Sequence, residues 1–176
     1  AEVTGLTVST QIVLGSFDHP GAARALHLQT TSQLMFSCGT SWVGCVILAD
    51  RETGLQRRML IDPYESNNGG DWLGMFSLTS IGQFFDAWVL DFMKYTGSSE
   101  GNPFKEFDAL AMMCSSEDSI PVINPLVNSL TPELFETLCA SWEIRAIARG
   151  VLEGVVFQMK KLVIDKGIDI DALAEI

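Results

Sequence analysis

Positive charge is scarce in this chain of 176 residues: 11 lysines and arginines stand against 22 aspartates and glutamates, a net charge of −11 at pH 7. Nucleic acid and anionic membranes are bound through clustered Lys and Arg, so neither is an expected partner. Histidine is limited to His19 and His27, and neither is spaced with cysteines or carboxylates as a metal ligand. No protein-held metal is expected. The four cysteines (Cys38, Cys45, Cys114 and Cys139) include no CxxC pair. Reduced thiols in a cytoplasmic protein are the simpler reading. The start, AEVTGLTVST, lacks the basic and apolar regions of a signal peptide. The long uncharged run, Leu28 to Ala49, is interrupted by Gln, Thr, Ser and Gly, unlike a membrane helix. The motifs GxxxxGKS/T, GxSxG and HExxH are missing as well.

What is present is material for a core. Hydrophobic residues make up 47% of the chain and charged residues 19%. A domain of this size buries about 70% of the surface its unfolded chain exposes. The composition is that of one acidic, intracellular globular domain.

The first half reads as strands with one helix. Gln11–Ser16 is a short apolar run entering a turn, a buried-strand pattern. His19-Pro20 opens a helix, with proline expected at the first helical position. Leu34–Ser37 and Trp42–Leu48 are β-rich runs separated by a tight turn, and Arg57–Ile61 is a further candidate strand. A polar loop follows at Ser66–Asp71.

The second half reads as helical. Leu78–Lys94 carries apolar residues at Ile81, Phe84, Phe85, Trp88, Val89 and Phe92, the spacing of a one-sided helix. Further helices are expected over Phe104–Met113, from Thr131-Pro132-Glu133 onward, and from about Glu143 to Ile164, with a short strand at Ile120–Ile123. Gly150 and Gly154 lie one turn apart in the last helix, each costing about 1 kcal/mol relative to Ala there. Another segment is therefore expected to approach that backbone closely. Strands first and helices later predict an α/β layered fold. The chain stops soon after a helix, where a return to the sheet would be usual, so a fragment is expected.

Few residues offer chemistry. Asp18 sits where an apolar strand gives way to a helix, a place where α/β folds bind ligands. A carboxylate there can accept a proton from a substrate hydroxyl, or it can simply cap the helix. Gly39-Thr40-Ser41 lies between two strands, and its N–H groups and hydroxyls could cradle a phosphate; Gly-Thr also occurs in hairpins for conformational reasons alone. Gly69, Gly70 and Asp71 read as a surface turn. Cys38 and Cys45 straddle the Gly-Thr turn, where a cross-strand contact is open to them, and read as small core residues. The tryptophans and phenylalanines read as core.

Four segments in order resemble the second half of the FGGY family of carbohydrate kinases. VLGSFDHPGAARAL (Val13–Leu26) resembles that family's G-x-x-D strand–turn–helix, and FSCGTSWVG (Phe36–Gly44) its second phosphate loop. IGQFFDAWVLDFMK (Ile81–Lys94) resembles the helix that begins with Gly and carries Trp. IARGVLEGVVFQM (Ile147–Met159) resembles the R-A-x-x-E-G-x-A-F signature helix. The resemblance implies a ribonuclease-H-like (actin-like ATPase) domain with a mixed sheet flanked by helices, spanning residues 1–176 and truncated at its end. It implies transfer of the γ-phosphoryl of ATP, with Mg²⁺, to a sugar or polyol hydroxyl. By this resemblance Asp18 matches the catalytic base, Gly39 and Thr40 the phosphate loop, and Gly82 a nucleotide-contacting glycine. Glu153 and Gly154 match the signature helix in a structural role.

The implied partners are the substrate sugar, the missing N-terminal kinase domain, and a second copy in a homodimer. The departures are specific. By the resemblance, the first domain and the Gly-Gly segment that holds adenosine are expected to lie outside these 176 residues. Ile120–Leu134 is unlike the family's stretch, and Gly150 replaces its usual Ala. The parent is expected to be a kinase and this piece alone to be inactive. The competing expectation is a non-catalytic actin-like module: a degenerate kinase, scaffold or sensor. A third reading, a hydrolase of the same superfamily, is disfavoured by the signature helix.

Overall fold

The computed structural model describes residues 10–11, 16–65, 72–97, 101–115, 117–127 and 129–174. The strand expected at Gln11–Ser16 falls on residues 12–15 for the most part, and the loop at Ser66–Asp71 entirely, outside the described residues. The helix after the first of these forms as α1, Asp18–Ala25. Phe17 occupies its N-cap in extended backbone, and Pro20 is its third residue. The amide that Pro20 lacks is one of the first four, which have no partner inside any helix.

Strands β1 (Leu34–Cys38), β2 (Trp42–Leu48), β3 (Leu60–Pro63) and β4 (Trp72–Leu78) form one sheet in the order β1-β2-β4-β3. All pairs are antiparallel, so within the described residues the sheet is not the mixed one expected. The register places Met35 opposite Cys45 and Cys38 opposite Trp42. Cys38 and Cys45 are therefore not cross-strand partners, and all four cysteines are free.

Two elements depart from the sequence reading. Asp50 accepts a hydrogen bond from the Thr53 amide (2.7 Å) and so caps a short helix, α2 (Arg51–Gln56), that hydrophobic spacing does not reveal. This helix delays the strand expected from Arg57, which starts at Leu60. The second departure is β4. Its run WLGMFSL is buried from Leu73 through Phe76 and so shows no alternation, and Leu78 ends a strand instead of starting a helix.

Side-chain alternation sends the sheet's apolar groups to two faces. Met35, Cys45, Ile47, Leu73 and Met75 pack with Ala23 of α1, Leu28 and Tyr64. Leu34, Val46, Leu48, Met59 and Phe76 pack with Val163 and Ile168. Beyond lies a helical layer of α3 (Ile81–Tyr95), α4 (Pro103–Met112), α5 (Pro132–Cys139) and α6 (Ile144–Asp165). Asn102 caps α4, accepting from the Phe104 and Lys105 amides, and Thr131 caps α5, accepting from Leu134. The core of this layer is built on Trp88, Phe92, Phe107, Ile147 and Val151, with Phe92 meeting Phe107 edge to face at 5.3 Å.

The strand expected at Ile120–Ile123 does not form. That segment instead runs over α6, with the Pro121 carbonyl against Gly150 and the Ile123 carbonyl against Gly154. The two glycines that weaken the helix are the two that admit this crossing. Glu153, between them, pairs with Arg149 one turn back at 2.8 Å.

Two outcomes test this packing. A Cβ on Gly154 would overlap the Ile123 carbonyl. Gly154→Ala should therefore cost about 1–3 kcal/mol, as overpacking does, against a propensity gain of about 1 kcal/mol. A Cβ on Gly21 in α1 meets nothing within 4 Å, so Gly21→Ala should stabilise by about 0.4–1 kcal/mol. Thermal melts should shift in opposite directions; a raised midpoint for Gly154→Ala would mean the crossing is not where it is described. The second outcome concerns the thiols. Cys45 is buried, and burial, helped by the negative charge of Asp18, pushes its thiol up to about 12. Cys114 is buried too, while Cys38 and Cys139 are exposed. A thiol reagent should label two cysteines in the native chain and all four after denaturation, with Cys38 and Cys139 identified by peptide mapping.

Candidate functional site

The Cys38–Trp42 pair closes the β1–β2 hairpin around the three residues Gly39, Thr40 and Ser41. Gly39 and Thr40 are exposed. Gly39 is not among the positive-φ glycines, and a Cβ there would meet only the Ser41 carbonyl, at 4.0 Å. Neither strain nor crowding inside the protein requires glycine at this position.

The turn is seated on the start of α3. Gly82 is the second residue of that helix, and its N–H donates to the Thr40 carbonyl at 3.0 Å. A Cβ on Gly82 would overlap the Gly39 carbonyl and stand 3.1 Å from the Thr40 Cα. Ser80, the N-cap, adopts left-handed backbone (φ 61°), and its N–H donates to the Ser41 hydroxyl at 3.2 Å. The structure thus brings Gly39, Thr40 and Gly82 into direct contact. It adds Ser80, which the sequence reading did not single out, and gives the hydroxyl of Ser41, already part of the expected turn, the Ser80 N–H as its partner. No side-chain pattern announces a left-handed serine, so only the hydroxyl next to Gly-Thr was a legible signal.

The Gly39 and Thr40 carbonyls face the start of α3, whose Gly82 and Ser80 N–H groups are taken up by the turn. A helix start carries about half a positive charge, and the turn in front of it is exposed. Thr40 contributes a hydroxyl beside a glycine with no side chain. Among the described residues no group of three His, Cys, Asp or Glu could hold a metal ion.

Asp18 belongs to a different element from the turn, the helix α1. It is the first residue of α1, its side chain is 85% exposed, and its carboxylate accepts a hydrogen bond from the His19 amide at 2.9 Å. The capping position belongs to Phe17, so Asp18 does not act as the N-cap. The imidazole Nε2 of His19 lies 3.9 Å from the same carboxylate. His19 shares a cavity with Val43 and Ser77, a β2–β4 pair one step from the Trp42–Leu78 end of the sheet. The start of α1 and the Gly39–Ser41 turn therefore lie toward the same end of the sheet.

No family model matches the sequence, and no curated protein matches it. No helix among the described residues is long and apolar enough to cross a membrane. Among solved structures the chain is similar to the crystal structure of xylulose kinase from Rhodospirillum rubrum, with a TM-score of 0.57 at 17% identity. The match covers 87% of this chain and 31% of the kinase chain. At that identity the likeness is one of fold, and the chain spans less than a third of the kinase's length.

Proposed function

We propose that this chain is one lobe of a carbohydrate kinase of the FGGY type, the actin-like second lobe. In the whole protein it would take part in phosphorylating a sugar or polyol hydroxyl with Mg²⁺-ATP. The observation that carries this reading is the contact between Gly82 and the Gly39-Thr40 turn. Two segments far apart in sequence, each singled out by its resemblance to the family, meet at one helix start. The fold likeness to a xylulose kinase supports the same reading independently.

Phosphoryl transfer asks little covalent chemistry of a protein; it asks for positioning and charge stabilisation. ATP and its Mg²⁺ supply the transferable group. The Gly39-Thr40 turn binds phosphate oxygens through bare backbone and the Thr40 hydroxyl, oriented by the α3 start behind it. Gly39 is free of side chain where the protein itself has no need of that, and a phosphate lying against the turn is a reason for it. Asp18, exposed at the same end of the sheet, accepts the proton of the attacking hydroxyl. The sugar's remaining contacts come from the other lobe, and closure of the two lobes excludes water from the transfer.

Two substitutions in the whole protein test the roles separately. Asp18→Asn keeps size and much of the hydrogen bonding but cannot accept the proton. It should lower turnover about 10²–10⁴-fold, with ATP affinity nearly unchanged. Retention of more than about a tenth of the turnover, measured on a panel of ketoses, aldoses and polyols, would show that Asp18 is not the base. Gly82→Ala should act on nucleotide binding, because its methyl group displaces the turn. Its ATP affinity should fall, with an added stability loss of about 1–3 kcal/mol. Unchanged affinity with a lowered melting point would make Gly82 a packing residue only.

A further inference from the structure

The cavity that His19 shares with Val43 and Ser77, of about 490 Å³, opens at the β3 edge of the sheet. It exists because β3 begins too late. The last β3–β4 pair is Leu60–Met75, so Phe76 and Ser77 of β4 pair with β2 on one side and, among the described residues, with no strand on the other. The helix α2 takes up the residues that could have extended β3, and Arg58 leaves it in left-handed backbone (φ 52°). The end of α6 closes the space from below.

The groups around this cavity are unusual for so acidic a chain. Arg58, Lys166 and His19 line it, and no carboxylate does. Lys166 Nζ donates to the carbonyls of Arg57 (3.1 Å) and Arg58 (2.8 Å). An ammonium has three donors, so one N–H remains. The Arg58 side chain is exposed and makes no hydrogen bond or ion pair among the described residues. His19 also faces the Asp18 carboxylate, 3.9 Å from its Nε2. The floor is apolar, from Met59, Phe76 and Leu162. The volume falls in the range of ordinary ligand sites, about 300–1,000 Å³, where apolar walls and a few polar groups set orientation.

We propose that this cavity binds a phosphate monoester with a compact apolar body. Arg58 and Lys166 take the phosphate with His19 beside them, and the floor takes the body. Two permanent cations match a phosphate dianion better than the single charge of a carboxylate, and the Arg58 fork suits paired phosphate oxygens. The open stretch of β4 is too short for an added peptide strand, which favours a small molecule. This assignment does not depend on the kinase reading.

The chain's two histidines make the test direct. Imidazole proton resonances of the full chain would be followed while phenyl phosphate is added, with benzoate and inorganic phosphate as separate arms. The His19 signal should move saturably with phenyl phosphate and less with either other probe, and the exposed His27 signal should stay still. Arg58→Gln should weaken phenyl phosphate about tenfold or more, the loss of a charge-assisted hydrogen bond. Its melting point should hold, since the guanidinium supports no other group. Arg51→Gln, in the short helix that precedes Arg58 but outside the cavity, should bind like the parent. No movement of His19 at millimolar phenyl phosphate, equal movement of both histidines, or equal affinity in Arg58→Gln would overturn the site. Benzoate binding as tightly as phenyl phosphate would overturn the phosphate assignment.

Discussion

The Gly39 carbonyl lies so close to Gly82 that even a methyl group would not fit, and this contact joins the sheet to the helical layer. The β1–β2 hairpin could otherwise end freely in solvent. Seated as it is, its turn receives one N–H from Gly82 and, through the Ser41 hydroxyl, another from Ser80. Helix α3 leaves from this point carrying Trp88, Val89 and Phe92, which are the centre of the helical core. The direction of the helical layer is thus tied to one backbone contact at the end of a hairpin. The same bare backbone is what a phosphate-binding turn needs. Packing makes this demand at Gly82, and the proposed function makes it at Gly39.

A second glycine contact works in the same way farther along the chain. Gly150 and Gly154 let the segment around Pro121 and Ile123 cross α6. The crossing brings Ile123 into the core made by α3, α4 and α6. Helix propensity is given up at two positions, and a non-helical segment is held in return. Both joints of this fold therefore rest on glycines whose missing side chain is replaced by a carbonyl oxygen of another segment.

Charge is distributed with less regularity. An acidic chain repels anions at long range, and an anion site on it must be built locally. The turn proposed to bind phosphate would do so with backbone and hydroxyl groups, and the cavity proposed at the β3 edge with Arg58 and Lys166. His19 belongs to the cavity while its neighbour Asp18 stands at the candidate base position. The candidate base and one wall of the cavity therefore come from adjoining residues of α1.

The sequence by itself determined the long amphipathic helices, the β1–β2 hairpin and the need for something to cover Gly150 and Gly154. These follow from residue spacing, helix caps and the cost of helical glycine, all of which are local. It also pointed to Asp18, Gly39, Thr40 and Gly82 through resemblance, without showing which of them meet. Only the tertiary structure decided that Gly82 touches the turn, that Ile120–Ile123 crosses a helix instead of joining the sheet, and that Trp72–Leu78 is a strand. The reason is physical. Hydrophobic spacing reports which face of an element is buried, and a strand buried on both faces has no spacing to report. Contacts between backbones leave still less trace: their only sign in the sequence is a glycine, and glycine does not say what will lie against it.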